Sequence, residues 1–80
     1  MKRVEVVWLD ITYKSAGWVH FADVEDFIKD KNEQTVNQLG YVFRETDEML
    51  ILTDSYFVDE RFYGTIHKIP KGCIVSIKEI

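Results

Sequence analysis

Apolar side chains in this sequence recur mostly at every second position, in short segments separated by turn residues, and no uninterrupted apolar run exceeds four residues, as in Met49–Leu52. A two-residue period puts alternate side chains on opposite faces of a strand, so the chain is predicted to be mainly β. Nothing in it is long enough to cross a membrane as an apolar helix. With 80 residues there is room for one domain, residues 1–80, and no second core. The content of 46% hydrophobic and 30% charged residues is that of a folded chain. No internal repeat is present.

Residues 3 to 13, RVEVVWLDITY, form the clearest expected strand. Val4, Val6 and Trp8 point one way and Val7, Leu9, Ile11 and Tyr13 the other, so both faces are apolar. Such a strand is either covered on both sides or lends one face to another subunit. Lys14-Ser15-Ala16-Gly17 closes it with turn chemistry. Over residues 20 to 31 the period changes: Phe21, Val24, Phe27 and Ile28 fall three and four apart among acidic residues. That spacing predicts one short amphipathic helix, near residues 21 to 30, with its apolar stripe laid on the β-structure. Asn32 to Gln38 reads as a polar loop.

From Leu39 the two-residue period returns, with Leu39, Tyr41 and Phe43 on one face and Gly40, Val42 and Arg44 on the other. Glu45 to Glu48 is a polar turn and Met49 to Leu52 the returning strand of a hairpin. Residues 54 to 61 are an irregular connection, Phe62 to Ile69 a fourth strand, and Pro70-Lys71-Gly72 a tight turn in which Gly relieves the backbone. Cys73 to Ile80 is the fifth strand, and its outer edge is left uncovered. An open edge invites pairing with a second copy, so a homo-oligomer is expected.

Composition restricts the chemistry. Fourteen Asp and Glu against ten Lys and Arg give a net charge of −4, which disfavours broad affinity for nucleic-acid backbones or anionic membranes. A single cysteine excludes an internal disulfide, and with two histidines it cannot build a Cys-rich zinc site. The N-terminal apolar stretch is broken by Glu5 and Asp10, unlike a secretion signal, and with unpaired Cys73 this makes the cytoplasm the expected compartment. His20 or His67 could pair with Asp10 or Cys73 in a catalytic role, but no nucleophile elbow or catalytic-cysteine pattern surrounds them. Asp23, Glu25, Asp26 and Asp30, with Asp47, Glu48 and Asp54, lack the spacing of a calcium loop, so no metal is expected. Gly17, Gly40, Gly64 and Gly72 are too scattered to cradle a phosphate. The expectation is a binding protein that is not an enzyme and holds no cofactor.

Among the aromatic residues, Trp8, Phe43 and Phe62 are assigned to the core. Tyr56 and Phe57 in the charged connection, and Trp18 after Gly17, are the candidates for a protein interface or for base stacking. Lys14, Arg44, Lys68 and Lys71 would favour RNA if folding gathered them into one basic strip.

The second half of the chain resembles the Sm-like fold family. Gly40, Asp47 and Met49 to Leu52 look like that family's first motif, and Ile69-Pro70-Lys71-Gly72 followed by Ile74 to Ile77 is similar to its second, with a proline inserted. Trp8-Leu9-Asp10 and Gly17-Trp18 also resemble the short acidic β-proteins encoded by phages and prophages. The resemblance implies a five-stranded SH3/Sm-like barrel with one short helix inserted after the first strand. It also implies a turn at Lys71 and Gly72, with Asp47, that faces a ring lumen and contacts a ligand. Two departures count against RNA: Glu48, Met49 and Leu50 replace the Asn expected after the Asp, and Pro70-Lys71 stands where an Arg is expected. The family's helix precedes its first strand, whereas here it follows. Three classes of function remain: an oligomeric phage or prophage accessory protein engaging a host or phage protein, a single-stranded RNA-binding ring, and a binder of a small molecule or nucleotide signal between subunits.

Overall fold

A computed structural model describes residues 1–11, 17–29 and 34–80. It consists of β1 (Arg3–Leu9), α1 (Phe21–Lys29), β2 (Thr35–Glu45), β3 (Met49–Thr53), β4 (Ile66–Pro70), a 3-10 turn (Lys71–Cys73) and β5 (Ile74–Glu79). The strands form one antiparallel sheet in the order β4-β3-β2-β1-β5. The mainly β architecture with one short helix matches the expectation from periodicity. No helix among the described residues is long and apolar enough to cross a membrane.

The connection between β4 and β5 bends this sheet. They are its two edges, and in a flat sheet four strand spacings would part them by roughly 19 Å. Only Lys71, Gly72 and Cys73 join them, in a 3-10 turn. Three residues rising about 2 Å each cannot bridge that distance, so the edges curl toward one another at this end. Pro70, lacking an N–H, is tolerated because β4 is an edge strand.

The curl encloses one face. Val4 and Val6 of β1, Leu50 and Leu52 of β3 and Ile69 of β4 are fully buried, with Trp8, Val42 and Ile74 packed against them. The indole N–H of Trp8 donates to Gln38 Oε1 at 3.0 Å, which satisfies the one polar group this ring brings inward. Gly40, opposite Val4 on β2, makes the enclosure possible. A Cβ built there would lie 3.2 Å from Leu52 Cβ and 3.4 Å from the Thr53 carbonyl oxygen.

A bulge in β2 fixes the facing of the next residues. Val42 pairs with Leu52, but Arg44 rather than Phe43 pairs with Ile51, and Glu45 pairs with Leu50. Without the extra residue, Arg44 would face inward opposite Leu50; with it, Arg44 lies on the outer face and Glu45 follows on the inner side.

Several expectations are corrected. Polar Thr35 to Gln38 belong to β2, paired with Leu9 to Val6, and are not a loop. The fourth strand begins at Ile66, not Phe62. Phe43 is 39% exposed and Phe62 65%, so neither is core; on β2 the enclosed side is that of Gly40 and Val42, where the missing Cβ admits Leu52. The helix does not lay its stripe on the sheet. It buries no residue, because the strands fill the core themselves and α1 rides on the excursion between cross-strand partners Leu9 and Thr35. The radius of gyration is 16.4 Å, against about 12 Å for a compact chain of this length. Gly72 has no positive φ, and a Cβ there would meet nothing. The expected strand end at Tyr13, the turn residues Lys14 to Ala16, and Asp30 to Asn32 lie outside the described residues.

The two glycines should therefore respond oppositely to substitution. Gly40→Val is expected to cost about 1–3 kcal/mol through overpacking against Leu52, and Gly72→Ala to stay within about 0.5 kcal/mol of the parent. Urea unfolding of both variants checks this; equal effects would refute the close approach at Gly40.

Candidate functional site

The residues singled out in the sequence separate into two regions. The first is the end of the sheet where the β2–β3 turn meets the β4–β5 connection. Thr46 closes that turn: its Oγ1 accepts from the backbone N–H of Glu48 and Met49 at 3.3 and 3.0 Å, and its own N–H donates to the Met49 carbonyl at 2.8 Å. The Lys71 N–H donates to the Glu48 carbonyl at 2.8 Å, which brings Asp47, Lys71 and Gly72 to one end. The Lys71 ammonium, however, is bound to the Glu45 carboxylate. Its hydrogen bond, and then its charge, hold the Glu45 carboxyl below its ordinary pKa. Lys71 already has an anionic partner within the chain, and Asp47 and Gly72 are exposed beside it.

The second region is a small arm, residues 54 to 65, at the opposite end of β3. Tyr56 and Tyr63 form an antiparallel bridge, with the Phe57 N–H donating to the Phe62 carbonyl at 3.1 Å and the Gly64 N–H to the Ser55 carbonyl at 2.8 Å. Its tip turns at Glu60, which takes φ 58°, and is pinned by the Arg61 N–H on Asp59 Oδ1 at 3.0 Å. At position 64 a Cβ would stand 2.2 Å from Ser55 Oγ and 2.3 Å from Asp54 Oδ1, so a larger residue would require those two side chains to move. At the base of the arm Thr53, 1% exposed, donates its hydroxyl to the Ser55 carbonyl at 2.8 Å.

The arm folds its rings onto those of β2. Tyr56 meets Tyr41 edge to face with centroids 5.0 Å apart, and Tyr63 meets Phe43 at 4.9 Å. Phe57 and Phe62 pair with one another at 5.8 Å, each 65% exposed. The N-terminal ammonium donates to the Tyr56 hydroxyl at 3.2 Å. Ser55, Tyr56, Phe57, Phe62, Tyr63 and Gly64 line a cavity of about 290 Å³. A cavity of this size, mostly apolar in lining, accepts one aliphatic or aromatic side chain. Tyr56 and Phe57 are thus brought together, with Tyr41, Phe43, Phe62 and Tyr63 around them. Those four were legible as aromatic residues but not as a cluster, because their meeting depends on the arm folding back. Trp18 joins neither region; it follows Gly17, at φ 72°, and is fully exposed.

The basic strip that would favour RNA is not assembled from the described residues. Arg44 and Lys68 flank Ile51 on the outer sheet face, and Arg44 lies 5.5 Å from the Phe43 ring centre as a cation–π pair. The registers place Arg3 and Lys78 on the same face, with Glu5 between. Lys71 is turned to Glu45 instead, and Lys14 lies outside the described residues.

His20 caps α1: its Nδ1 accepts from the Ala22 N–H at 3.1 Å, and its carbonyl accepts from Asp23 and Val24. His67 is exposed on β4 opposite Leu52, and Cys73 is half-buried in the 3-10 turn. Among the described residues, no three His, Cys, Asp or Glu side chains converge as metal ligands would. Comparison with protein-family models, curated proteins and solved structures finds no match.

The Glu45–Lys71 pair predicts a pH dependence. Because the folded-state pKa of Glu45 is lowered, its contribution to stability is fully present above the ordinary titration near pH 4.5 and is lost as pH falls through the lowered value. Thermal unfolding of Glu45→Gln and of the parent should differ at neutral pH and converge in acid. A difference that grew on acidification would contradict the pairing.

Proposed function

We propose that this chain is a non-enzymatic, self-associating binding protein built on an SH3/Sm-like small barrel, an accessory protein of the phage-encoded kind whose partner is another protein. The barrel reading is supported by the curl that the three-residue link between edge strands imposes and by the close approach at Gly40. The accessory-protein reading draws on the Trp8-Leu9-Asp10 and Gly17-Trp18 resemblance.

One observation carries the binding reading. Five hydrophobic side chains are fully buried, whereas fourteen large ones among the described residues are exposed, including Trp18, Phe21, Phe57, Val58 and Phe62. Single exposed hydrophobic residues are ordinary, but contiguous exposed rings beside a small core mark an interaction surface. Aromatic side chains around a preformed cavity are the composition from which interface hot spots are built. The arm's cavity is the proposed seat for a side chain of the partner.

A single-stranded RNA at the Asp47–Lys71 end is the second reading, and the convergence of those two turns favours it. The Glu45 carboxylate weighs against it, since an incoming phosphate would have to displace an existing counter-charge from Lys71.

Multi-angle light scattering on the purified protein tests the first reading. The expected mass at high protein concentration is two or more times the 9.5 kDa of one chain. A monomer at every concentration reached would overturn it.

A further inference from the structure

Two surfaces of this chain keep large apolar side chains exposed, and each carries the charge that the other needs. The first is α1, whose stripe residues Phe21, Val24 and Ile28 are 74%, 41% and 63% exposed. Its remaining surface holds Asp23, Glu25 and Asp26 against Lys29 alone. The second is the part of the outer sheet face beside the arm, where Leu39 and Ile66 are 64% and 50% exposed and Phe43, against which Tyr63 packs, is 39% exposed. The strands place Arg3, Arg44, Lys68 and Lys78 on that face with Glu5 among them, and Asp54 lies at its edge beside Arg3. In a chain of net charge −4, this local excess of positive charge is produced by strand register and by the β2 bulge that turns Arg44 outward.

We infer that α1 of one copy lies across the outer sheet face of a second copy, in a reciprocal exchange about a two-fold axis. The inference rests on the self-association proposed above and names its surfaces. Apolar stripe meets apolar face, and acidic flanks meet basic ones, so the same contact that buries hydrophobic area also neutralises charge. Reciprocity is needed for area. A nine-residue helix is about 14 Å long and 10 Å wide, too small to fill alone the roughly 800 Å² per partner of a standard stable interface. Exchange uses two helices and two faces, doubling the contact without a new surface. α1 buries nothing within the chain, which leaves its stripe available to a neighbour.

Charge reversal on each surface tests the pairing. The helix variant is Glu25→Lys with Asp26→Lys; the face variant is Arg44→Glu with Lys68→Glu. Each alone should weaken self-association at least about tenfold, because like charges then oppose one another across both contacts. Mixed in equal amounts they should recover the parent's mass, since a basic helix then meets an acidic face and the acidic helix meets the basic face. Recovery on mixing also shows both variants to be folded. A parent that is monomeric throughout would sink the self-association and this inference together. An oligomeric parent whose mass neither variant alters, or variants that stay apart when mixed, would overturn the inference alone. If the face variant keeps the parent's mass but loses binding of a labelled single-stranded RNA that the parent binds, the face serves nucleic acid and the inference fails.

Discussion

The absence of a side chain at Gly40 leaves room for Leu52 on the buried face of the sheet. Leu52 approaches β2 so closely that an added Cβ would stand 3.2 Å from its own Cβ. A glycine within a strand often marks a place where a neighbouring side chain or backbone comes this close. The short link from Pro70 to Ile74 imposes the curvature, since it joins two edges that a flat sheet would hold apart. With these constraints in place, Val4, Val6, Leu50, Leu52 and Ile69 have one face to fill, and they fill it without help from the helix.

That economy explains what remains outside. The buried side chains among the described residues all come from the strands, and the amphipathic helix is left with its apolar side in water. On the convex side, Tyr41 and Phe43 are the natural base for the arm, and Tyr56 and Tyr63 meet them edge to face. Such ring pairs contribute roughly 0.5–1.5 kcal/mol each beyond their buried area, which is enough to hold a short hairpin that has little else beneath it. The arm is therefore a second, smaller cluster with its own cavity, separate from the enclosed core.

Strand identity was legible from the two-residue period of Val4, Val6 and Trp8 and from the hairpin around Glu45 to Glu48; which face of β2 turns inward was not. Leu39, Tyr41 and Phe43 are the larger set, and size alone argues for the core. The decisive residue is the small one, Gly40, whose role depends on a partner twelve positions away on the next strand. Local pattern also missed Thr35 to Gln38, because a polar segment becomes a strand here by pairing with the apolar β1. The bulge at Phe43 left no signature in composition, yet it decides that Arg44 joins Lys68 outside rather than Leu50 inside. Of the candidate site, Tyr56 and Phe57 were legible as aromatic residues in a charged connection. Their neighbours Phe62 and Tyr63 were hidden by reading that stretch as a continuation of the fourth strand.

The placement of the lysines and arginines whose gathering into one strip would have favoured RNA connects fold to function. Had they gathered, the chain would present a positive track despite its acidic composition. Instead Lys71 is answered by Glu45 at the sheet's end, while Arg44 and Lys68 stand on the outer face among Ile51, Ile66 and Phe43. Cations interleaved with exposed apolar side chains do not make a surface tuned for a phosphate backbone alone, where affinity comes from many charges in a row. They make one suited to an amphipathic partner that brings carboxylates and an apolar stripe together. Among the described residues, α1 has that description. The register of the strands, more than the overall charge, thus sets the mixture of cations and apolar side chains that this face presents.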